Sequence, residues 1–141
     1  MNNTDHTIVD VHVHVGVVGD SQPQHGGMSQ HYRESVGFKI FLLFLGVNED
    51  DVCDDFLREE TIKRISASTV DKVVLLALDP VYDKDGRRQE ARSHMWVANE
   101  YVHELCHEDR LANRALMACS VHPYDPRFKD RVREWIDKGA V

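Results

Sequence analysis

The sequence has 141 residues, 42% hydrophobic and 29% charged, a balance ordinary for one soluble globular domain. A net charge of −7 with no basic cluster argues against the electrostatic footprint of a nucleic-acid or anionic-membrane binder. Nine histidines are the one compositional pointer to metal chemistry, whereas Cys53, Cys106 and Cys119 are scattered and read as buried thiols of a reducing compartment.

The opening "MNNTDHT" is polar and has no signal-peptide core. The longest apolar run, "FKIFLLFLGV", is too short to span a bilayer and contains Lys39, so a cytoplasmic address is expected. The first regular element is a strand over Thr7 to Val15. Its period-two alternation puts Val9, Val11, Val13 and Val15 on one face and Asp10, His12, His14 and Gly16 on the other. Two imidazoles two residues apart on one face can converge on a single ion, and zinc or another divalent metal ion is expected. Asp10 shares their face and is expected either to orient an imidazole or to hydrogen-bond the floor of the fold, the structural role being preferred. The plainer alternative is a solvated, hydrogen-bonded histidine pair on an ordinary strand.

Residues Gly16 to Glu49 then form an excursion far longer than the usual ~2–6-residue connection between a strand and its helix. It is read as a flexible start, "GDSQPQHGG", followed by a helix around Tyr32 to Leu45, and as a lid or wall over a substrate. Packing of Phe38, Ile40, Phe41, Leu42, Leu43, Phe44 and Leu45 on neighbouring elements is preferred over their contact with substrate. Two more apolar strands follow, Lys72 to Leu78 and Ala115 to Val121. Helices are expected in "DDVCDDFLREETIKRISAS", "SHMWVANEYVHELCHED" and "DPRFKDRVREWIDKG". In the last, Asp125 is placed to cap, Pro126 to occupy the first turn and Gly139 to end the helix. Strands alternating with helices predict an α/β fold with a parallel sheet. "AV" after Gly139 reads as the opening of a fourth strand, so the sequence is expected to be the N-terminal part of a longer domain.

In such a fold, functional groups collect at the C-terminal ends of the strands. Asp79 and His122 leave strands two and three there, beside His12 and His14, and are rim candidates for positioning substrate or water. Their plainer roles are an Asp-Pro turn and an extended pre-proline residue. "HELCH", His103 to His107, matches the zinc-protease pattern H-E-x-x-H. Helical spacing turns both histidines away from Ala98, Tyr101, Val102 and Leu105, toward solvent rather than a cleft, and the downstream Gly and His of that pattern are missing. "DKDG", Asp83 to Gly86, is read as a turn rather than a calcium loop.

"VDVHVHVG", "VDKVVLLALDPVYDKDGR" and "ACSVHPYDPRFKDRVREWIDKGAV" resemble the amidohydrolase superfamily, closest to its amidohydrolase-related metal-dependent hydrolases. The resemblance implies the first three βα units of a TIM-type (β/α)8 barrel over residues 1–141, with the insertion at 16–49. It implies metal-ligand roles for His12 and His14. It also implies further ligands from later strands, which this sequence does not contain. The implied activity is metal-assisted hydrolysis of a C–N or C–O bond of a small-molecule substrate, some relatives decarboxylating instead, with this chain alone weakly active or inactive. Two alternatives remain: a non-catalytic half-barrel that associates through its open sheet edge, and an H-x-H phosphoesterase or nuclease barrel.

Overall fold

The computed structural model describes residues 6–111 and 113–141; most of the polar N-terminal opening therefore lies outside the described residues. Along the chain run β1 (Val9–His14), β2 (Gly26–Met28), α1 (Gln30–Arg33), α2 (Val36–Leu45), α3 (Asp54–Ala67), β3 (Lys72–Leu76), β4 (Met95–Val97), α4 (Asn99–Cys106), β5 (Ala115–Ala118) and α5 (Phe128–Asp137). The fold is mixed α/β. Strands β1, β3 and β5 form a parallel sheet in that order, and β2 and β4 form a separate antiparallel pair.

The sheet orders itself by what each strand can bury. Val73, Leu75 and Met117 alternate inward and join Val15, Ile62 and Ile65 in one core with Tyr101, Val102, Leu105 and Trp135. Helices α3, α4 and α5 therefore pack on one face of the sheet. On the other face Leu76, Leu116 and Ala118 remain half-exposed. A second, smaller core of Val18, Met28, Phe38, Leu42, Val52 and Leu57 holds the insertion after β1.

Four expectations are revised. First, the strict valine face of β1 fails. The pairing slips between Asp10, opposite Val73, and Val13, opposite Leu75, so β1 carries one residue more than β3 over this stretch. Such a slip exchanges the faces of everything before it, which places Asp10 with Val13 rather than with His14. Val9 and Val11 are exposed, and burial begins only toward Val15.

Second, part of the supposedly flexible loop is a buried strand. All three residues of β2 are buried against β4, because Gly26 and Gly27 present no Cβ to the Trp96 backbone and ring. Third, β4 takes up the start of the helix expected from Ser93, and α4 begins at Asn99.

Fourth, the helix expected around Tyr32 to Leu45 is two helices. Ser29 caps α1 and Ser35 caps α2, each side-chain oxygen accepting an N–H three residues on. Of the apolar run in α2, only Phe38 and Leu42 are buried, while Leu43 and Phe44 are 80% and 82% exposed. Leu45 is half-buried against the same small core and Phe41 stacks on Phe38, so packing accounts for these four while Ile40, Leu43 and Phe44 are exposed.

Helix α5 starts at Phe128, two residues after the expected Pro126. Asp125 does not cap it: Arg127 stands at the N-cap without a side-chain cap, and Asp125 Oδ1 instead accepts the Arg127 N–H at 2.7 Å in the turn ahead of the helix. Gly139 ends it in the left-handed region at φ 94°, as the sequence indicates. The Val141 N–H then donates to Met117 O at 2.9 Å, so the last residue lies beside β5. No helix among the described residues is long and apolar enough to cross a membrane.

Candidate metal centre and rim

The C-terminal ends of β1, β3 and β5 share one edge of the sheet, since the three strands are parallel and adjacent. At the β1 end, His12 Nε2 and His14 Nε2 stand 3.0 Å apart, their rings edge-on with centroids 4.8 Å apart. A tetrahedral zinc ion with Zn–N bonds of ~2.0–2.1 Å holds two ring nitrogens ~3.3 Å apart. At 3.0 Å the two nitrogens are hydrogen-bonded to each other, the alternative anticipated for an ordinary strand; a divalent ion would replace that shared proton and needs the gap opened by only a few tenths of an ångström. Among the described residues, no group of three or more His, Cys, Asp and Glu side chains has the arrangement to hold one. The pair therefore provides two ligand positions, and any others fall to water or other donors.

Asp10 does not reach an imidazole. Its Oδ1 accepts the His12 backbone N–H at 3.0 Å, which supports the chain where the β1 register slips. The carboxylate shapes the backbone that carries the histidines rather than the rings themselves.

The loop behind the pair is held by a residue that the sequence does not flag. Asp54, 6% exposed at the start of α3, accepts N–H groups of Val18 at 2.7 Å, Gly19 at 2.9 Å and Ser21 at 3.2 Å, and the Ser21 hydroxyl at 3.0 Å. Asp20 Oδ1 accepts the Asp54 N–H in return. Burial pushes the Asp54 carboxyl up, but the donors from Gly19, Val18 and Ser21 outweigh it and hold the group below its ordinary value.

The other two rim candidates are joined to each other. Asp79 receives the His122 backbone N–H on Oδ2 at 2.6 Å, while its own N–H donates to Ser120 Oγ at 3.0 Å. Desolvation pushes the Asp79 carboxyl above its ordinary value, with the His122 N–H and the charge of Arg131 opposing. His122 Nδ1 accepts the Tyr124 N–H at 3.1 Å. A backbone N–H can only donate, so Nδ1 is the bare nitrogen and the proton of the neutral ring sits on Nε2. His122 is therefore set to donate a hydrogen bond, not to ligate through Nε2.

Three further residues complete this rim. Tyr82 stacks on His122 with centroids 5.0 Å apart and reaches Asp125 Oδ2 at 3.4 Å, and Arg131 Nη1 pairs with the same oxygen at 2.8 Å. Burial pushes the Asp125 carboxyl up, but the Arg127 N–H and Arg131 more than compensate and its pKa stays low. The sequence offers Asp125 only as a helix cap, a role it does not take; its pairing with Tyr82 and Arg131 depends on how two loops meet.

Two cavities flank the rim. His14 opens onto a groove of about 590 Å³ whose apolar wall includes Tyr32, Phe41, Phe44 and Leu57. Asp79, Tyr82, Asp125 and Arg131 line a polar cavity of about 850 Å³ with Trp96 and Trp135. Leu78 borders both. His14 and Asp79 thus share an edge of the sheet but face different hollows.

On α4, His103 and His107 do not both face solvent. His107 is exposed, whereas His103 is half-buried with its ring 5.9 Å from that of Trp135. The three cysteines are free and half-buried, and burial pushes the Cys106 thiol up to about 11. Asp83 Oδ1 accepts the N–H groups of Asp85 and Arg87, the pattern of a side-chain-stabilised turn.

No protein-family model, curated protein or solved structure matches this chain.

Proposed function

We propose that the chain is the N-terminal part of an amidohydrolase-type (β/α)8 barrel and carries half of the divalent-metal site of a metal-dependent hydrolase. The observation that supports this most is the 3.0 Å approach of His12 Nε2 and His14 Nε2 at the C-terminal end of a parallel strand. The sheet order β1-β3-β5, each strand followed by a helix, agrees with the first three units of such a barrel. When bound, a divalent ion supplies a water acidified toward neutral pH and polarises a carbonyl. His12 and His14 would hold it, with Asp10 bracing the backbone beneath them. On the adjacent rim, His122 would donate from Nε2 to a substrate oxygen, and Asp79 would fix the His122 backbone. The 590 Å³ groove beside His14 would accept an apolar part of a small-molecule substrate.

The test is zinc titration of the purified chain, followed by assays on amides, lactones, carboxylates open to decarboxylation, and phosphodiesters. Wild type should bind one zinc more than the chain with both His12→Ala and His14→Ala. Equal zinc content in the two would overturn the reading. Turnover of phosphodiesters alone would move the reaction class to phosphoester hydrolysis.

A second reading, a non-catalytic module that closes its sheet on a partner, is favoured by the position of β1. It is an edge strand with Val9 and Val11 exposed, and unpaired edges recruit further strands. Sedimentation of the pure chain as a stable dimer, together with inactivity on every substrate class, would favour this reading.

A further inference from the structure

We propose that His103 and His107 form a second, independent chelate on α4 for a borderline transition-metal ion such as nickel, copper or zinc. The two residues are one helical turn apart, and their rings lie with centroids 4.3 Å apart. Residues at i and i+4 share a helix face, which is the spacing at which two imidazoles can grip one ion.

The tautomer is suited to it. His107 Nδ1 lies 2.8 Å from the His103 carbonyl oxygen. A carbonyl can only accept, so Nδ1 carries the proton and Nε2 of the neutral ring keeps a free lone pair. On its other side His103 faces Trp135, a residue 2% exposed, with ring centroids 5.9 Å apart. One ring is thus oriented by a backbone hydrogen bond and the other stands beside a buried indole, which narrows the side-chain freedom an ion would remove.

There is room, and the field is mixed: the end of the helix favours a cation and two lysines oppose it. His103 and His107 border a hollow of about 520 Å³ between α4 and the end of α5. His107 is the residue that follows the last turn of α4, where unpaired carbonyls give the helix its negative end and a cation is stabilised. Two lysines, Lys72 and Lys138, line the same hollow. Lys138 is drawn aside by Glu134 at 2.7 Å and lies over Trp135, and the repulsion that remains is screened by solvent.

Cys106 also lines the hollow, and the chelate proposed here uses the two imidazoles alone. Two imidazoles alone leave the other coordination positions to water. That composition favours copper and nickel over magnesium or calcium.

The experiment is nickel titration by calorimetry on four full chains: wild type, His103→Ala with His107→Ala, His12→Ala with His14→Ala, and the last pair combined with His107→Gln. The first double variant should take up one nickel ion fewer than wild type. In the His12/His14 background nickel should still raise Tm, and adding His107→Gln should abolish that rise. His107 is exposed, so its replacement leaves the fold intact. Unchanged uptake in the His103/His107 variant, or a Tm rise that survives His107→Gln, overturns the proposal. Either result leaves the His12/His14 assignment standing, because that pair is read out separately.

Discussion

The Asp79 carboxylate accepts the backbone N–H of His122 at 2.6 Å, joining the end of β3 to the end of β5 across 43 residues of sequence. Two residues singled out as rim candidates are thereby joined, side chain to backbone. The hydrogen bond is made at the expense of burying a carboxylate, and its consequences can be measured.

Desolvation raises the Asp79 carboxyl in the folded chain, so between its unfolded pKa of ~3.9 and its higher folded value the native state binds more protons than the unfolded state. Stability then falls as pH rises through that window, and ionised Asp79 is a net burden at pH 7. Asp79→Asn keeps an oxygen to accept the His122 N–H and removes the charge. Thermal melts at pH 7 should give the variant a higher Tm than wild type, and the gap should close below about pH 4.

Asp54 behaves in the opposite sense. Its folded pKa lies below its ordinary value, so its contribution is present above ~pH 4 and is lost as pH falls through the folded pKa. Asp54→Ala strands the N–H groups of Val18, Gly19 and Ser21 and should cost roughly 2–4 kcal/mol at pH 7. Urea unfolding across pH should show the wild-type advantage shrinking in acid.

Gly26 sits at φ 145°, and a Cβ there would collide with the Trp96 carbonyl oxygen and with Val17 Cγ2. Gly26→Ala should therefore destabilise by roughly 2–4 kcal/mol through backbone strain and overpacking. Gly46 offers the control, since its surroundings are open and only its left-handed φ resists a side chain. Equal losses at the two positions in denaturant melts would show that packing of β2 on β4 is not the cause.

The Asp125–Arg131 pair is tested by removing one charge at a time. Arg131→Met leaves a carboxylate whose side chain is 8% exposed without its guanidinium, and should cost about 2 kcal/mol, the Arg127 N–H still compensating in part. Adding Asp125→Asn should recover some of that loss. A double-mutant cycle with no coupling would mean that Arg131 contributes through packing alone.

How much of this was legible in the sequence varies with the range of the interaction concerned. The three parallel strands, α3, α5 and the ending at Gly139 could be read from apolar runs and one glycine, because those signals are local. Strand β4 was hidden inside an apparent helix, since "MWV" carries no period of its own and becomes a strand only when Gly26 and Gly27 come alongside. The convergence of His12 and His14 could be anticipated from spacing, and their rings do meet. The fate of Asp10 could not, because one extra residue against β3 reverses its face.

By itself, then, the sequence determined an α/β chain with two histidines poised together at the end of its first strand, through periodicity that acts within a few residues. Only the tertiary structure decided the register of β1, the burial of Asp54 beneath the loop after it and the Asp79–His122 contact. Those depend on which backbone donors and acceptors meet across 33 to 63 residues of chain, and that is settled when apolar faces are buried together and every polar group brought with them must find a partner.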